Sequence, residues 1–474
     1  MTGIKDRVYQ LAPVPIQNLM VSAYGLYWKR LRFGGNFEPE CEGFRKRERF
    51  DLDIWERYIT AQLQSVLTSA FEHAPHYQQT WSGVTLSQLG RFTLPDLPSL
   101  PVLEKQVARD NPLGLLLGGK PQPKHLIFHT SGSTGTPVKT YWLPSEMQRS
   151  LAMRETRSCG WANVSFKIPR ATFSGRMVEP DPESKGPFYR FNMAEKQVYF
   201  SAFHLRPETA SFYVQALKDH GIQWMTGYSN SFYQLASMIL DQRLKAPPIR
   251  AVITTSEKVT PEMREVIEHA FSTKVYEEYG TVEDVFYVCE CEHGRKHINP
   301  DAGIIEIVDE QMRPVKPGTM GEVLATGFIR PSQPFVRYRV GDLAIMDDQP
   351  CPCGRNLPVL SEIVGRLEDT VYAPDGRRMV RFHGIFVNQP HVREGQIIQE
   401  KIDLIRVLVV PKDGFDGHDR QDIINRIQQR LTPQMNVQIE LVDHIERTAN
   451  GKFKAVVCAL TDEEKRQARG ITES

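Results

Sequence analysis

The sequence has no run of about 18 consecutive apolar residues, so it predicts no membrane-spanning helix. The first residues, MTGIKDRVYQLAP, are charged and contain no apolar core, so we expect no secretory signal. Cysteine is scarce, with seven in 474 residues. An odd number of cysteines in a large chain without a signal predicts reduced thiols and a cytoplasmic location.

An excess of one charge is missing as well. Lysine and arginine number 58 against 57 aspartate and glutamate, and a net charge of +1 gives no reason to expect a nucleic-acid partner. Apolar residues make up 41% and charged residues 24%, which is a globular composition. At 474 residues the chain is too long for one core, so we expect two or three domains. Composition leaves a homodimer open.

Aromatic and basic residues alternate in one early segment, YGLYWKRLRF, at residues 24–33. A helix with this composition can lie on a membrane surface. The alternative is a helix that packs its aromatic face on the main domain, and we favour this second interpretation.

Glycine and hydroxyl residues concentrate in HTSGSTGTPVK, from His129 to Lys139. The segment lies between an apolar run and β-favouring residues, which predicts a strand, a loop and a second strand. Backbone N–H groups and hydroxyls in such a loop can surround a polyphosphate. The spacing is not that of a Walker A loop, because Lys139 follows Gly135 by four positions rather than one. A flexible Ser/Gly turn is the alternative.

Strand and helix patterns alternate after this loop, which predicts an α/β fold with mainly parallel strands. The strand candidates are residues 223–228, 251–255 and 274–276, and Thr260-Pro261 has the pattern of a helix start.

The pattern changes at about Gly303, where GIIEIVDE and GEVLATGF predict a smaller β-rich subdomain. Beyond Gly365, strand candidates flank an amphipathic helix at residues 422–431, which predicts a compact α+β domain. We therefore expect an N-terminal domain at residues 1–366 and a C-terminal domain at residues 367–474.

Five motifs follow one another in a definite order: HTSGSTGTPVK, YGTVED (279–284), RYRVGD (337–342), VGRLED (364–369) and ERTANGKFK (446–454). In this order they resemble the motifs of the acyl-adenylate-forming superfamily of acyl-CoA synthetases, luciferases and peptide-synthetase adenylation domains. FGGNFEP, LPVLEK (100–105) and CPCGRNLPVL (351–360) resemble the phenylacetate–CoA ligase branch, especially its capsule-biosynthesis-type members. The resemblance covers nearly the whole chain.

The resemblance implies a two-step reaction. A carboxylate attacks the α-phosphate of ATP to give an acyl-adenylate and pyrophosphate, and an acceptor then takes the acyl group and releases AMP. Coenzyme A is the first choice of acceptor by family frequency, while an amine, a carrier-protein thiol or a sugar hydroxyl remain alternatives. A non-catalytic nucleotide-binding protein that retains the fold is an alternative of another class.

The resemblance assigns a set of residues to ATP. The phosphate loop would hold the β- and γ-phosphates, Tyr279 would stack on adenine, Asp342 would accept hydrogen bonds from the ribose hydroxyls, and Arg366 would contact ribose or phosphate. The full set is Ser131, Gly132, Ser133, Thr134, Gly135, Lys139, Ser256, Glu257, Tyr279, Gly280, Thr281, Asp342 and Arg366.

Two charged residues carry the implied catalysis. Glu283 matches the glutamate that binds Mg²⁺, a cation that prefers carboxylate ligands. Lys452 matches the catalytic lysine of a mobile C-terminal domain, and Glu368 falls at the hinge about which that domain would rotate. A flexible ammonium group can reach the carboxylate and the α-phosphate together.

Two segments depart from the family pattern. TTSEK (254–258) lacks the common Gly-Gly-Glu or Gly-Ala-Glu, which weakens the roles of Ser256 and Glu257. DGRRMVRFHGIF (375–386) replaces an RGVN-like stretch, which weakens the coenzyme A assignment.

The family positions of the acid pocket contain aromatic and small residues, which suit an aryl or short hydrophobic acid, while their polar content leaves a hydroxylated or amino acid open. The candidate pocket residues are Phe203, His204, Tyr228, Ser229 and Thr255.

Thiols and imidazoles concentrate in CECEHGRKH (289–297) and CPCG (351–354). Thiolates with one imidazole are typical ligands of tetrahedral zinc, and both stretches flank the β-rich subdomain. We expect a structural zinc site, with unligated thiols as the alternative. The expected ligands are Cys291, His297, Cys351 and Cys353, with Cys289 and His293 as substitutes.

Overall fold

The computed structural model describes residues 9, 11–130, 137–174, 176, 178–179, 184–366, 370–375, 378–379, 383–386, 389–448 and 453–468. The chain divides into two compact units. The first contains Met1–Val340 and Ala344–Glu362, and the second contains Gly341–Leu343 and Ile363–Ser474.

Helices dominate the first part of the first unit and alternate with strands later. A π-helical turn at Glu155–Cys159 extends the helix that ends at Arg154. The helices are α1 (Val14–Phe33), α2 (Phe37–Arg47), α3 (Leu52–His73), α4 (Pro75–Thr80), α5 (Leu86–Leu89), α6 (Lys105–Asp110), α7 (Pro144–Arg154), α8 (Ala210–Asp219), α9 (Ser229–Asp241) and α10 (Pro261–Phe271).

Two of these helices show how the sequence sets their limits. The side chain of Asp51 accepts a hydrogen bond from the Ile54 N–H at the start of α3, and Pro75 begins the next helix. Thr260 caps α10 in the same way through the Met263 N–H. The predicted helix start at Thr260-Pro261 is therefore present.

A twelve-stranded mixed sheet follows a short hairpin of β1 and β2. Its strand order is β11-β12-β13-β14-β10-β9-β8-β7-β6-β3-β5-β4. The strands are β1 (Leu126–His129), β2 (Lys139–Trp142), β3 (Arg170–Ser174), β4 (Tyr189–Asn192), β5 (Gln197–Ser201), β6 (Trp224–Gly227), β7 (Ala251–Thr254), β8 (Lys274–Gly280), β9 (Tyr287–Glu290), β10 (Lys296–Ile298), β11 (Gly303–Val308), β12 (Met320–Gly327), β13 (Tyr338–Asp347) and β14 (Val359–Arg366).

Five neighbouring strands, β5, β3, β6, β7 and β8, run parallel to one another. Helices α8, α9 and α10 connect the later ones and bury apolar faces against them, with Leu217, Phe232 and Ile267 in one core cluster. This arrangement confirms the predicted α/β fold. In such sheets ligands bind beyond the carboxyl ends of the parallel strands.

Helix α1 differs from its expectation. Tyr24 and Tyr27 are 60% and 57% exposed, whereas the buried residues of the helix are Gln17, Ser22 and Gly25. The expected packing of an aromatic face on the main domain was therefore wrong for these two tyrosines. Two other aromatic residues of the segment do pack on the main domain, since the Trp28 ring centroid lies 6.5 Å from that of Phe128 and the Phe33 ring centroid lies 5.8 Å from that of Phe166. The inner face of the helix also makes polar contacts, because Ser22 Oγ accepts a hydrogen bond from the Met193 N–H at 3.0 Å.

The second unit contains a four-stranded sheet with the order β19-β18-β17-β20. Ile397, Ile405 and Val407 of this sheet pack with Ile423 and Ile427 of its longest helix. The strands are β15 (Val371–Tyr372), β16 (Arg378–Met379), β17 (Val392–Lys401), β18 (Leu404–Pro411), β19 (Asn436–Leu441) and β20 (Val456–Cys458), and the helices are α11 (His383–Phe386), α12 (Gly417–Arg430) and α13 (Asp462–Ala468).

Across the described ranges of both units, we find no helix whose length and apolar character would let it cross a bilayer.

Candidate functional site

Polar residues collect where the parallel strands end. Tyr228 follows β6, Thr255 and Ser256 follow β7, and Thr281 and Glu283 follow β8. Because β6, β7 and β8 are adjacent and parallel, these segments emerge at one edge of the sheet. That edge is our candidate site.

Glu283 is the most firmly held acid of this edge. Its side chain is buried, and its Oε1 accepts a hydrogen bond from the Tyr338 hydroxyl at 2.8 Å. Its carbonyl oxygen accepts a second hydrogen bond from the Arg330 guanidinium at 2.7 Å. Side chain and backbone are thus fixed independently. A buried, oriented carboxylate fits the oxygen ligand that Mg²⁺ prefers.

Arg330 connects this acid to the hairpin of β1 and β2. Its guanidinium donates to the Tyr141 carbonyl oxygen at 3.0 Å and to the side chain of Gln333, which in turn accepts from the Tyr141 N–H at 2.9 Å. Burial lowers the pKa of Arg330 to about 10, so the side chain remains charged at neutral pH. The network fixes β2, which follows the predicted phosphate loop, relative to Glu283.

The turn after β8 contains two further polar groups. Within the described residues, the buried hydroxyl of Thr281 has no hydrogen-bond partner. Asp284 has a φ of 50°, in the left-handed region that aspartate and asparagine tolerate better than most residues. Burial raises the pKa of Asp284 to about 6 despite a hydrogen bond to Ser150. An unpartnered hydroxyl beside an oriented carboxylate is suited to a phosphate group and its cation.

The predicted phosphate loop joins β1 to β2. Thr130 Oγ1 accepts from the Val138 N–H at 2.9 Å, and Lys139 begins β2 opposite His129. These contacts close the base of the loop. The predicted loop residues lie outside the described residues: Ser131, Gly132, Ser133, Thr134 and Gly135.

The residues predicted near the adenine base lie after β7 and at the end of β8. Tyr279 packs on Phe286 with ring centroids 4.7 Å apart, and Gly280 ends β8. Ser256 has a φ of 70°, a conformation that is costly for serine and often found at functional sites. Glu257 accepts hydrogen bonds from the Asn230 N–H at 3.0 Å and from a serine hydroxyl, so it caps the start of α9.

The two residues predicted to contact ribose both belong to the second unit. Arg366 Nε lies 3.6 Å from Asp342 Oδ1. The arginine side chain is 42% exposed, whereas that of the aspartate is 12% exposed. The pair joins a largely buried anion to a cation that solvent and ligands can reach.

A cavity of about 290 Å³ lies at the carboxyl ends of β3, β6 and β7. The predicted acid-pocket residues Tyr228 and Thr255 line it, together with Ser256 and Gly227. A Cβ on Gly227 would lie 1.9 Å from the Phe173 carbonyl oxygen, so no other residue fits without a backbone shift.

The wall of this cavity is a chain of polar side chains. Arg170 donates to Glu195 at 2.5 Å and to Gln197 at 2.7 Å, and the Gln197 amide donates to Thr172 Oγ1 at 2.7 Å. The guanidinium of Arg170 also lies over the Phe166 ring, 5.4 Å from its centroid.

Arg154 lines the cavity and pairs with Glu278 at 2.6 Å. Its guanidinium lies 5.6 Å from the centroid of the Phe166 ring, so two guanidinium groups contact this ring. The cavity thus combines one aromatic ring with guanidinium, amide and hydroxyl groups.

Three predicted pocket residues are not among the lining residues of this cavity. His204 Nδ1 lies 2.7 Å from Ser201 Oγ, and its ring stacks on Phe188. Phe203 precedes it in the turn after β5. Ser229 begins α9 and contacts the Lys258 carbonyl oxygen at 3.1 Å.

The predicted catalytic Lys452 and hinge residue Glu368 lie outside the described residues. The chain beside Lys452 is held on both sides. Arg447 pairs with Glu394 at 2.6 Å and lies 4.8 Å from the Phe453 ring centroid. The Gln396 amide donates to the carbonyl oxygen of residue 454 at 2.6 Å.

The structure brings the four expected zinc ligands together. One ligand atom each from Cys291, His297, Cys351 and Cys353 lies within 4.8 Å of all the others. Burial lowers the pKa of His297 to about 4, so its imidazole is neutral at pH 7.

The two substitute ligands lie apart from this group. Cys289 is fully buried and accepts a hydrogen bond from Asn299 at 3.5 Å, and His293 is exposed.

Several residues of the candidate site were not predicted from the sequence. Tyr338 lies in the RYRVGD motif, four positions before Asp342, so its motif was a usable signal. Arg330 had a weaker signal, a single cation in the apolar context TGFIRPSQPF. Arg170 and Gln197 had none, because each lies on a strand whose partner is distant in sequence.

Comparisons with known proteins agree over most of the chain. Residues 371–459 match the family described as the CapK C-terminal domain. The chain is 25% identical over 469 residues to Protein CapK of Staphylococcus aureus, covering 95% of this chain and 98% of that protein. It is 24% identical over 352 residues to a phenylacetate-coenzyme A ligase of Thermus thermophilus, covering 70% and 74% respectively.

A solved structure has the same fold. The structure of 2-hydroxyisobutyryl-CoA ligase in the postadenylation state, in complex with R3-HIB-AMP, superposes with a TM-score of 0.66 at 21% identity. The match covers 89% of this chain and 93% of that one.

Proposed function

We propose that this chain activates a carboxylic acid with ATP. It belongs to the acyl-adenylate-forming superfamily and is similar to the capsule-biosynthesis and phenylacetate–CoA ligase-like members of that superfamily. The acid's carboxylate oxygen forms a bond to the α-phosphorus while the bond to pyrophosphate breaks. The acceptor then attacks the acyl carbon, and the acyl–oxygen bond to AMP breaks.

The observation that carries this proposal is Glu283, whose side chain and backbone are both held, together with the unpartnered hydroxyl of Thr281 two positions before it in the chain. Glu283 would bind the Mg²⁺ that neutralises phosphate charge when bound, and Thr281 would donate to a phosphate oxygen. Arg330 holds the Glu283 backbone in place before the nucleotide arrives. Preorganised groups of this kind stabilise developing charge without reorganising during the reaction.

The remaining nucleotide contacts follow the motif order. Tyr279 would stack on adenine, and Asp342 would accept hydrogen bonds from the ribose hydroxyls, with Arg366 adjacent to it. Lys452 would neutralise charge on the acid's carboxylate and on the α-phosphate during adenylation. Rotation of the second unit about Glu368 would then separate the two half-reactions.

The cavity that Tyr228 and Thr255 line would hold the acid. At about 290 Å³ it is at the lower limit for ligand pockets. Its wall of Arg170, Gln197 and Thr172 is polar, and an alkyl chain would cover these groups without adding a hydrogen bond to any of them. We therefore propose a small acid with hydroxyl, amino or carbonyl groups over a purely aliphatic one.

A panel of acids in an ATP–pyrophosphate exchange assay tests both parts of the proposal. We expect exchange to depend on the acid, and small hydroxylated or amino acids to exceed alkyl acids of equal size. Replacement Glu283→Gln should abolish the exchange that the best acid elicits. Bound ATP without exchange for any acid would favour the non-catalytic nucleotide-binding protein.

The acceptor is tested by the same panel with acceptors added. Coenzyme A is our first choice, and an amine, a carrier-protein thiol and a sugar hydroxyl are the alternatives. Release of AMP with a product of the expected mass identifies the acceptor. The choice of coenzyme A is wrong if coenzyme A leaves the acyl-adenylate unconsumed while another acceptor consumes it.

A further inference from the structure

Two turns of identical construction lie beside each other in the first unit. Each begins with a cysteine and ends three residues later with a glycine, at Cys291–Gly294 and Cys351–Gly354. The Gly294 N–H donates to the Cys291 carbonyl oxygen at 2.9 Å, and the Gly354 N–H donates to that of Cys351 at 3.2 Å. Both glycines have positive φ, 74° and 76°. The chain thus presents two cysteines from matched tight turns.

The distances within the cluster suit one tetrahedral ion. Cys291 Sγ lies 3.6 Å from Cys351 Sγ, and Cys353 Sγ lies 3.4 Å from His297 Nε2. With Zn–S near 2.3 Å and Zn–N near 2.0 Å, a tetrahedral ion separates two sulfurs by about 3.8 Å and a sulfur from a nitrogen by about 3.5 Å. These two pairs already lie at nearly these separations.

The orientation of His297 supports the same conclusion. Its Nδ1 lies 3.3 Å from the Leu357 carbonyl oxygen, which assigns the proton to Nδ1 and leaves the Nε2 lone pair toward Cys353. A backbone carbonyl on the second ring nitrogen is the usual support of a histidine metal ligand. The edge of Trp161 holds the ring from another side, with centroids 5.6 Å apart.

Arg355 joins the two turns outside the cluster. Its guanidinium donates to both oxygens of Glu292, at 2.9 and 2.8 Å, and to Glu48 at the end of α2 at 2.6 Å. It also lies over the Trp161 ring, 4.5 Å from the centroid, and contacts the Cys353 sulfur. A cation at this point offsets the negative charge that three thiolates would leave on a Cys₃His zinc site.

We propose that Cys291, His297, Cys351 and Cys353 bind one structural zinc ion. Three thiolates and one imidazole are a zinc set, and four protein ligands leave no position for a substrate. The ion would tie the turn between β9 and β10 to the segment that enters β14. This inference is independent of the proposed function, because none of these four residues belongs to the proposed adenylation site.

The test is the metal content of the full-length chain, purified without a metal-binding tag from zinc-supplemented cells. We expect about one zinc per chain by mass spectrometry of the metal. Replacements Cys351→Ser and Cys353→Ser should reduce bound zinc to background. The matched control is Cys289→Ser, because Cys289 lies two positions from Cys291 but contacts Asn299. It should keep the full complement.

A spectroscopic measurement on the unaltered chain covers the case in which the variants do not fold. Chelation followed by addition of cobalt should give thiolate charge-transfer bands and the intense visible bands of tetrahedral cobalt. Folded wild-type chain without zinc would overturn the proposal. So would equal zinc in Cys353→Ser and Cys289→Ser, or the weak bands of octahedral cobalt.

Discussion

Glu283 and Lys452 are assigned to the same half-reaction, yet the regions that carry them are built differently. The carboxylate of Glu283 is itself held, by the Tyr338 hydroxyl at 2.8 Å within a buried network. Near Lys452 the contacts are made by residues that neighbour it in sequence. Arg447 pairs with Glu394 and also lies over the Phe453 ring. One region therefore fixes the functional group itself, whereas in the other the contacts described are those of residues that flank the lysine in sequence. A ligand for a cation has to be preorganised, whereas a lysine has a long flexible side chain that can reach its partners.

The largest effect should come from Lys452→Ala. Loss of the ammonium group should slow acid-dependent pyrophosphate exchange by about 10²-fold or more, because it removes charge neutralisation at the reacting centre. Acyl transfer from preformed adenylate should change far less. Lys454→Ala, two positions along the same segment, is the control and should retain exchange. Equal loss of both half-reactions in Lys452→Ala would contradict the assignment of this lysine to adenylation, on which the comparison with Glu283 rests.

A smaller effect is expected from Tyr338→Phe, which leaves the Glu283 carboxylate without its 2.8 Å donor. Hydrogen bonds to charged groups contribute about 1.5–3 kcal/mol, so the KM for MgATP should rise about tenfold or more. Tyr213→Phe is the matched control, since its buried hydroxyl donates to the Ser201 carbonyl oxygen at 2.8 Å, away from Glu283. An unchanged KM in Tyr338→Phe would show that the carboxylate does not need to be oriented.

The smallest effect is expected from Asp284→Asn and concerns stability. Burial raises the pKa of Asp284 to about 6, so the folded chain binds a proton that the unfolded chain releases above its ordinary pKa of 3.8. The free energy of unfolding of the wild type therefore falls as pH rises from about 4 to 6, and this fall should be absent in the variant. Asparagine also tolerates the φ of 50°.

Because the variant carries no buried carboxylate charge, it should be more stable than the wild type by on the order of 1 kcal/mol at pH 7, and by less at pH 5, where Asp284 is mostly protonated. The loss of charge compensation for Arg330 keeps this gain small. Thermal unfolding of both proteins across this pH range measures it. A difference that stays constant with pH would mean that Asp284 does not titrate in this window.

The sequence predicted most of the architecture because its signals are local. The cap at Thr260, the strand at residues 251–254 and the parallel α/β alternation all depend on neighbours a few positions apart. Long-range contacts were not predictable in this way. The cap that Glu257 forms on α9 is one such contact, since it arises where two loops after adjacent strands meet.

The cysteine cluster shows the same limit. Spacing alone left six candidate ligands for the expected metal. Cys291 and Cys289 differ because β9 ends at Glu290, so Cys291 lies in a turn and Cys289 stays in the strand. The two cysteines therefore differ only in their position relative to the end of this strand. Sequence patterns locate a strand end to within a few residues at best.

Gly227 has a consequence for altering the acid that the chain accepts. Because a Cβ there would meet the Phe173 carbonyl oxygen at 1.9 Å, this part of the cavity is bare backbone and cannot be reshaped by substitution. Any redesign, by an engineer or by evolution, has to act on side chains of the neighbouring strands. Gln197 and Thr172 are the adjustable positions there, and they can be changed as a pair because each is the other's hydrogen-bond partner.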